Sequence, residues 1–309
     1  MKRFRNILFL ADREDGLTAG LERAVNLAGT NEARLTVMGV VPEVPLSGYI
    51  KRTYDIDLDE QMKDQRLRSL ESLTRQYTDQ GVPVYTTVAR GKPFLEVIRA
   101  VQRNAYDLVI KVAEQNTGKE GTMLGSTDMH LLRKCHCPVW IDRPGERTAY
   151  RKILAAVDPF DDESGNLQRL ILDLATSLAE REHATVEVIH AWELAGESLL
   201  SHGRGRVSSL ELDLLLKATE ARHRESLDAL LQPYGLNTQD DSVNLIKGQA
   251  SEIITQHAQQ EGTDLIVMGT LGRAGIAGLF IGNTAENVLR NTHTAVLTAK
   301  PDGFVSPVQ

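Results

Sequence analysis

The chain has 309 residues, 41% of them hydrophobic and 25% charged, which suits about two globular domains and excludes wholesale disorder. Lys and Arg number 35 against 42 Asp and Glu, giving a net charge of −7. That balance argues against non-specific nucleic-acid binding and against docking on anionic membranes by charge alone. No apolar run approaches the roughly 20 residues of a membrane-spanning helix.

In chain order, the start Met1-Lys2-Arg3-Phe4-Arg5-Asn6 leads into an apolar run that ends at Asp12. The run is too short and badly flanked for a signal peptide, so it is predicted to be the first strand of a cytoplasmic protein. Further short runs at 35–41, 83–88, 107–112 and 138–141 predict buried strands. Between them, 16–29, 59–80, 93–104 and 126–134 show helical spacing. Leu17, Leu21, Ala24, Val25 and Ala28, for instance, fall on one stripe. A turn-rich link, Arg143-Pro144-Gly145-Glu146-Arg147, follows. The plan then repeats, with strands near 152–157, 185–191, 243–246, 264–268 and 295–298 and a long helix near 208–232.

The repetition is visible in the residues. RNILFLAD at 5–12 returns as RKILAAVD at 151–158, and Asp107-Leu108-Val109-Ile110 returns 157 residues later as Asp264-Leu265-Ile266-Val267. Gly125-Ser126-Thr127 returns, also 157 later, as Gly282-Asn283-Thr284. The predicted fold class is therefore α/β: two tandem five-stranded parallel-sheet domains of Rossmann-like type, residues 1–146 and 147–309.

In such sheets, ligands bind beyond the carboxyl ends of the strands. The fourth strand of the second repeat ends in Met268-Gly269-Thr270-Leu271-Gly272-Arg273, and Gly282-Asn283-Thr284-Ala285-Glu286 opens the last helix, so the spacing is Gly-x2-Gly-x9-Gly. Gly269 and Gly272 let backbone approach a ligand, and the helix start offers free N–H groups to phosphate. Asn283 is the expected N-cap, with Glu286 completing a capping box. An ordinary tight turn and a well-capped helix would also account for this pattern. There is no Walker motif, no Gly-x-Gly-x2-Gly after a first strand and no nucleophile elbow.

The repeat, the aspartate ending the first strand and the glycine pattern together resemble the universal stress protein family, in its tandem form, across the whole chain. The resemblance implies an adenine-nucleotide alpha-hydrolase-like fold and ATP as ligand, with or without Mg²⁺. It implies that Val157 and Asp158 sit by the adenine and ribose, and Met268 and Gly269 at the strand end. Gly272, Arg273, Gly282, Asn283 and Thr284 would then meet the phosphates. The family usually has Ser or Thr where this chain has Asn283. The resemblance further implies a stress-response role and pairing through last strands. Here Val139-Trp140-Ile141 would lie against Val296-Leu297-Thr298 within one chain, and whole chains would pair as a homodimer. The alternatives are a slow ATPase and a nucleotide-free scaffold with another ligand in the first repeat.

The first repeat keeps Asp12 and Gly125 but reads Lys111-Val112-Ala113-Glu114-Gln115 where the glycines should stand. Side chains there crowd the phosphate path and Glu114 repels it, so this half is not expected to bind ATP. The apolar segment 41–50 reads either as packing or as a lid over a lipid-like ligand. His130, Cys135, His136 and Cys137 suggest zinc by ligand type. An extended strand would instead turn His136 away from the two cysteines, which are themselves poorly placed to bridge each other. Gly203-Arg204-Gly205-Arg206 reads as a solvated loop, and His183, His190, His223 and His257 as structural histidines without partners in sequence.

Overall fold

The computed structural model describes residues 4–12, 17–114, 124–143, 149–160, 166–202, 207–270 and 281–308. They form two compact units, one holding the first repeat with residues 295–308, the other residues 150–270 and 282–294.

In the first unit, parallel strands β1 (Asn6–Leu10), β2 (Arg34–Val41), β3 (Val84–Arg90), β4 (Leu108–Val112) and β5 (Val139–Asp142) lie in the order β3-β2-β1-β4-β5. Helices α1 (Leu17–Asn31), α2 (Ser47–Tyr54), α3 (Leu58–Asp79), α4 (Pro93–Asn104) and α5 (Ser126–Lys134) connect them. Every residue of β4, and every residue of β1 after Asn6, is buried, which fits a sheet covered on both faces. A further strand, β10 (Ala295–Ala299), runs antiparallel to β5. It sets Val296 opposite Ile141, Leu297 opposite Trp140 and Thr298 opposite Val139. This is the ladder the sequence led us to expect, and it places the last strand of the second repeat in the first unit. Trp140 at its centre is fully buried. The short helix α2 was not anticipated; it lies in and just beyond the apolar segment 41–50 and buries none of its residues.

In the second unit, parallel strands β6 (Lys152–Ala156), β7 (Thr185–Trp192), β8 (Val243–Lys247) and β9 (Leu265–Gly269) lie in the order β8-β7-β6-β9. They are joined by α6 (Asn166–Glu182), α7 (Glu197–His202), α8 (Ser209–Leu231) and α9 (Ala250–Gln260), and α10 (Asn283–Asn291) follows β9. A capping box starts α8. Ser208 Oγ accepts from the Glu211 N–H, and the Glu211 carboxylate accepts from the Ser208 N–H at 2.8 Å.

The repeated aspartates have a structural task. Asp107 accepts from the Arg5 and Asn6 N–H groups, and Asp264 from those of Arg151 and Lys152. Each ties the start of a fourth strand to the start of the first strand beside it. In both units the first strand lies between the second and the fourth, so strand order reverses there and the carboxyl ends diverge into a crevice.

Candidate functional site

The crevice of the second unit is a cleft of about 290 Å³ formed at the ends of β6, β7 and β9 and the start of α10. That is close to the lower bound for small-molecule pockets, roughly 300 Å³. Val157, Asp158, Met268, Gly269, Gly282, Asn283 and Thr284 all line it. Gly272 and Arg273 lie outside the described residues, as do Gln115, most of the 143–147 link and the Gly203–Arg206 stretch.

At the β6 end, the Val157 N–H donates to Ile189 O at 3.0 Å and the Val157 carbonyl meets His190 Nδ1 at 3.0 Å. The N–H of Val157 is thus committed to the protein, leaving only a second carbonyl lone pair for a ligand. The Asp158 N–H donates to the Gln168 side chain at 2.9 Å, and Asp158 Oδ1 accepts from the Phe160 N–H at 3.1 Å, an Asx turn. The carboxylate is therefore fixed at the cleft wall by its own local backbone.

His190 is buried, and it too lines the cleft. A carbonyl only accepts, so His190 Nδ1 carries the hydrogen. His190 Nε2 then accepts from His223 Nδ1 on α8, 2.8 Å away. His223 stacks on Trp192 at 5.8 Å between centroids and meets Phe160 edge-on at 4.7 Å. Likewise His257 pairs with Glu187 at 2.7 Å. These histidines do have partners. The sequence hid them because the members of each pair are 33 and 70 residues apart. Lys152 also bonds Glu187, and together with His257 it outweighs the upward pull of burial, holding that carboxyl below its usual range.

Gly269 lines the cleft, yet the space for its missing side chain faces α6, where Leu167 Cδ2 would stand 3.1 Å from a Cβ. At the start of α10 the cap is Gly282, not Asn283. Gly282 has extended dihedrals, its N–H donates to Thr270 O at 2.8 Å, and its carbonyl accepts from the Glu286 N–H at 2.9 Å. Asn283 is the first helical residue. Glu286 pairs with Arg290 at 2.7 Å and, with Gly282 as the cap, stands at the fourth helical position, one beyond the third position that a capping box uses. Gly282 has no side chain with which to cap this helix, so the N–H groups of Asn283, Thr284 and Ala285 begin it at the cleft, at the positive end of the helix dipole.

The same place in the first unit is filled from within. Lys111, 157 residues before Met268, is fully buried. Its ammonium lies 2.8 Å from Asp128, 3.1 Å from Asp12 and 3.7 Å from Glu114. Asp128, the counterpart of Ala285, also accepts from the N–H groups of Gly125 and Glu114 at 3.1 and 3.2 Å. This repeat therefore carries its own anion at the helix start and its own cation beside it. Burial works against the Lys111 charge, but Asp128 and Asp12 outweigh it and hold the ammonium above its usual range. Burial raises Asp12 against the opposing pull of Lys111, and burial with Asp128 raises Glu114. These side chains stand where the phosphate path of the second unit has its counterpart.

Cys135 and Cys137 share a buried face with their sulfurs 3.5 Å apart. His136 is less buried, and His130 stacks on Phe94 at 4.1 Å. Among the described residues no group of His, Cys, Asp and Glu is arranged to hold a metal ion, and no helix is long and apolar enough to cross a membrane.

The model of the Universal stress protein family matches residues 3–143 and 149–300. Universal stress protein E of Escherichia coli (strain K12) is 29% identical over 252 residues, covering 79% of this chain and 77% of that one. Universal stress protein E of Photorhabdus laumondii is 23% identical over 318 aligned positions, covering 100% and 99%. A putative universal stress protein from Pseudomonas aeruginosa UCBPP-PA14 has a solved structure that superposes with a TM-score of 0.75 at 27% identity, covering 98% of this chain and 95% of that one. With both repeats matched, the chain belongs to the universal stress protein family, as a tandem member.

Proposed function

We propose that this chain is a cytoplasmic stress-response module that binds one ATP, in its second repeat. The adenosine would lie by Val157 and Asp158, and the phosphates, with any Mg²⁺ they carry, at the N–H groups of Asn283, Thr284 and Ala285. The observation that carries this reading is the contrast between two equivalent places. One is an open cleft at a helix start whose cap, Gly282, has no side chain. The other is closed by Lys111 and Asp128. Backbone N–H groups and the helix dipole attract phosphate without any special side chain, so Asn283 in place of a hydroxyl residue does not abolish the site.

Native mass spectrometry of the full chain titrated with ATP tests the reading. A single adduct of ATP mass per chain is expected, and no adduct, or two of equal affinity, would refute it. Single-turnover assays on the same complex separate a binding module from a slow ATPase. Intact ATP recovered after many binding half-lives is the result expected of a module.

A further inference from the structure

We propose that Cys135 and Cys137 form a reversible intrachain redox couple, oxidised by hydroperoxides to a disulfide and reduced by dithiols. The argument begins with geometry. The two residues follow α5 at the corner leading to β5, and the bent backbone brings both side chains to one side. Their sulfurs stand 3.5 Å apart in the reduced state. A disulfide needs about 2.05 Å. Two sulfurs side by side on one buried face are the starting geometry for that bond. Spacing alone marks cysteines one residue apart as poorly placed to bridge; here the bend at residues 136–137 accompanies sulfurs 3.5 Å apart.

The surroundings distinguish the two thiols. The Cys137 hydrogen bond holds Cys135 below the usual thiol range against burial, and the Cys137 N–H, the Lys300 ammonium and the His136 N–H act in the same direction. Cys137 is pushed up, first by its hydrogen bond to Cys135 and then by burial. Lys300 is itself fixed here, donating to Leu132 O at 2.6 Å at the end of α5 and lying 4.8 Å from the Phe304 ring centroid. The Lys300 cation acts on Cys135 and the Asp107 carboxylate on Cys137, so the charges around the pair favour a thiolate at Cys135, which makes Cys135 the nucleophile and Cys137 the resolving thiol in this proposal.

The chemistry balances with a hydroperoxide as oxidant. The Cys135 thiolate attacks a peroxide oxygen, the O–O bond breaks, and the alcohol or water leaves with a proton, giving a sulfenic acid. The Cys137 sulfur then attacks the Cys135 sulfur, the S–O bond breaks, and water leaves with the Cys137 proton. Two thiols lose two electrons and two protons, and the peroxide is reduced. Cys135 is fully buried and Cys137 nearly so.

The chain has two cysteines in all, so the assay has no background. The native full chain is reduced, exposed to hydrogen peroxide, quenched, denatured and alkylated. Intact mass is then read with and without a dithiol step. The expected product is a monomer lighter by two hydrogens, with no alkylated cysteine, that regains two alkylations after dithiol. In Cys137→Ser the expected product is a sulfenic acid on Cys135, trapped by dimedone. Two alkylatable thiols after exposure would overturn the proposal. So would a disulfide between chains, or oxygen added to one sulfur of the wild-type chain without loss of the other thiol.

Discussion

Leu167 of α6 occupies the space that a side chain at Gly269 would need, its Cδ2 3.1 Å from where a Cβ would stand. The first unit has the same pair with the sizes exchanged. There the strand residue is Val112 and the helix residue is Gly20, and a Cβ at Gly20 would collide with Val112. A large helix residue meets a glycine on the strand in one repeat, and a glycine on the helix meets valine in the other. A side chain at Gly269 would therefore press on Leu167 before any ligand is considered. The glycine motif, which read as a device for admitting phosphate, is at this position a matter of complementary volume.

Gly269→Ala is accordingly expected to lower stability by about 1–3 kcal/mol through overpacking. Gly269→Val combined with Leu167→Gly recreates the arrangement of the first unit. It should be less destabilised than the sum of its single changes, with a coupling of about 0.5–3 kcal/mol. Urea denaturation of the four proteins measures this, and simple additivity would contradict it.

Lys111 contacts Asp12, Asp128 and Glu114 at once. Lys111→Met leaves three carboxylates facing one another, with Asp128 buried and Asp12 and Glu114 half-buried. A loss of about 3–5 kcal/mol at neutral pH is expected. The sign of the pH dependence follows from the raised folded pKa values of Asp12 and Glu114. Their contribution is fully present below their unfolded values of 3.8 and 4.5 and is lost as pH rises through the folded values. The variant should therefore recover stability on mild acidification more than the wild type does. Parallel melting curves across this range would show it, and parallel pH profiles would contradict it.

The His190–His223 hydrogen bond links α8 to the wall of the cleft. His223→Ala removes the donor that satisfies His190 Nε2, which is expected to cost about 1–3 kcal/mol. It should also loosen the hold of His190 on the Val157 carbonyl. Calorimetry is expected to show ATP affinity reduced by up to about tenfold, about 1.4 kcal/mol, with one site per chain retained. An unchanged melting temperature would mean that the bond carries no stability.

The strands and most helices were legible because each is written in local periodicity. The stripe of Leu17, Leu21 and Ala24 and the short apolar runs identify buried elements directly. The β5–β10 ladder came from the repeat and the family resemblance together. What stayed hidden was non-local or one residue fine. The Lys111 network joins residues from 12 to 128, and nothing local to Lys111 names its partners. Helix α2 is short and exposed, so no apolar stripe announced it. The cap moved from Asn283 to Gly282 because cap preferences do not say which of two adjacent good candidates the backbone selects.

The central claim is that the cleft of the second repeat is open to an anion only because the chain does not fill it. Transplanting the filling tests this most directly: Met268→Lys with Ala285→Asp installs the counterparts of Lys111 and Asp128. Asp in the first turn of a helix is favourable, so the fold should persist. Isothermal titration calorimetry with ATP is expected to give one site per wild-type chain and no binding for the folded double variant. Equal affinity in both proteins, or two sites in the wild type, would contradict the account.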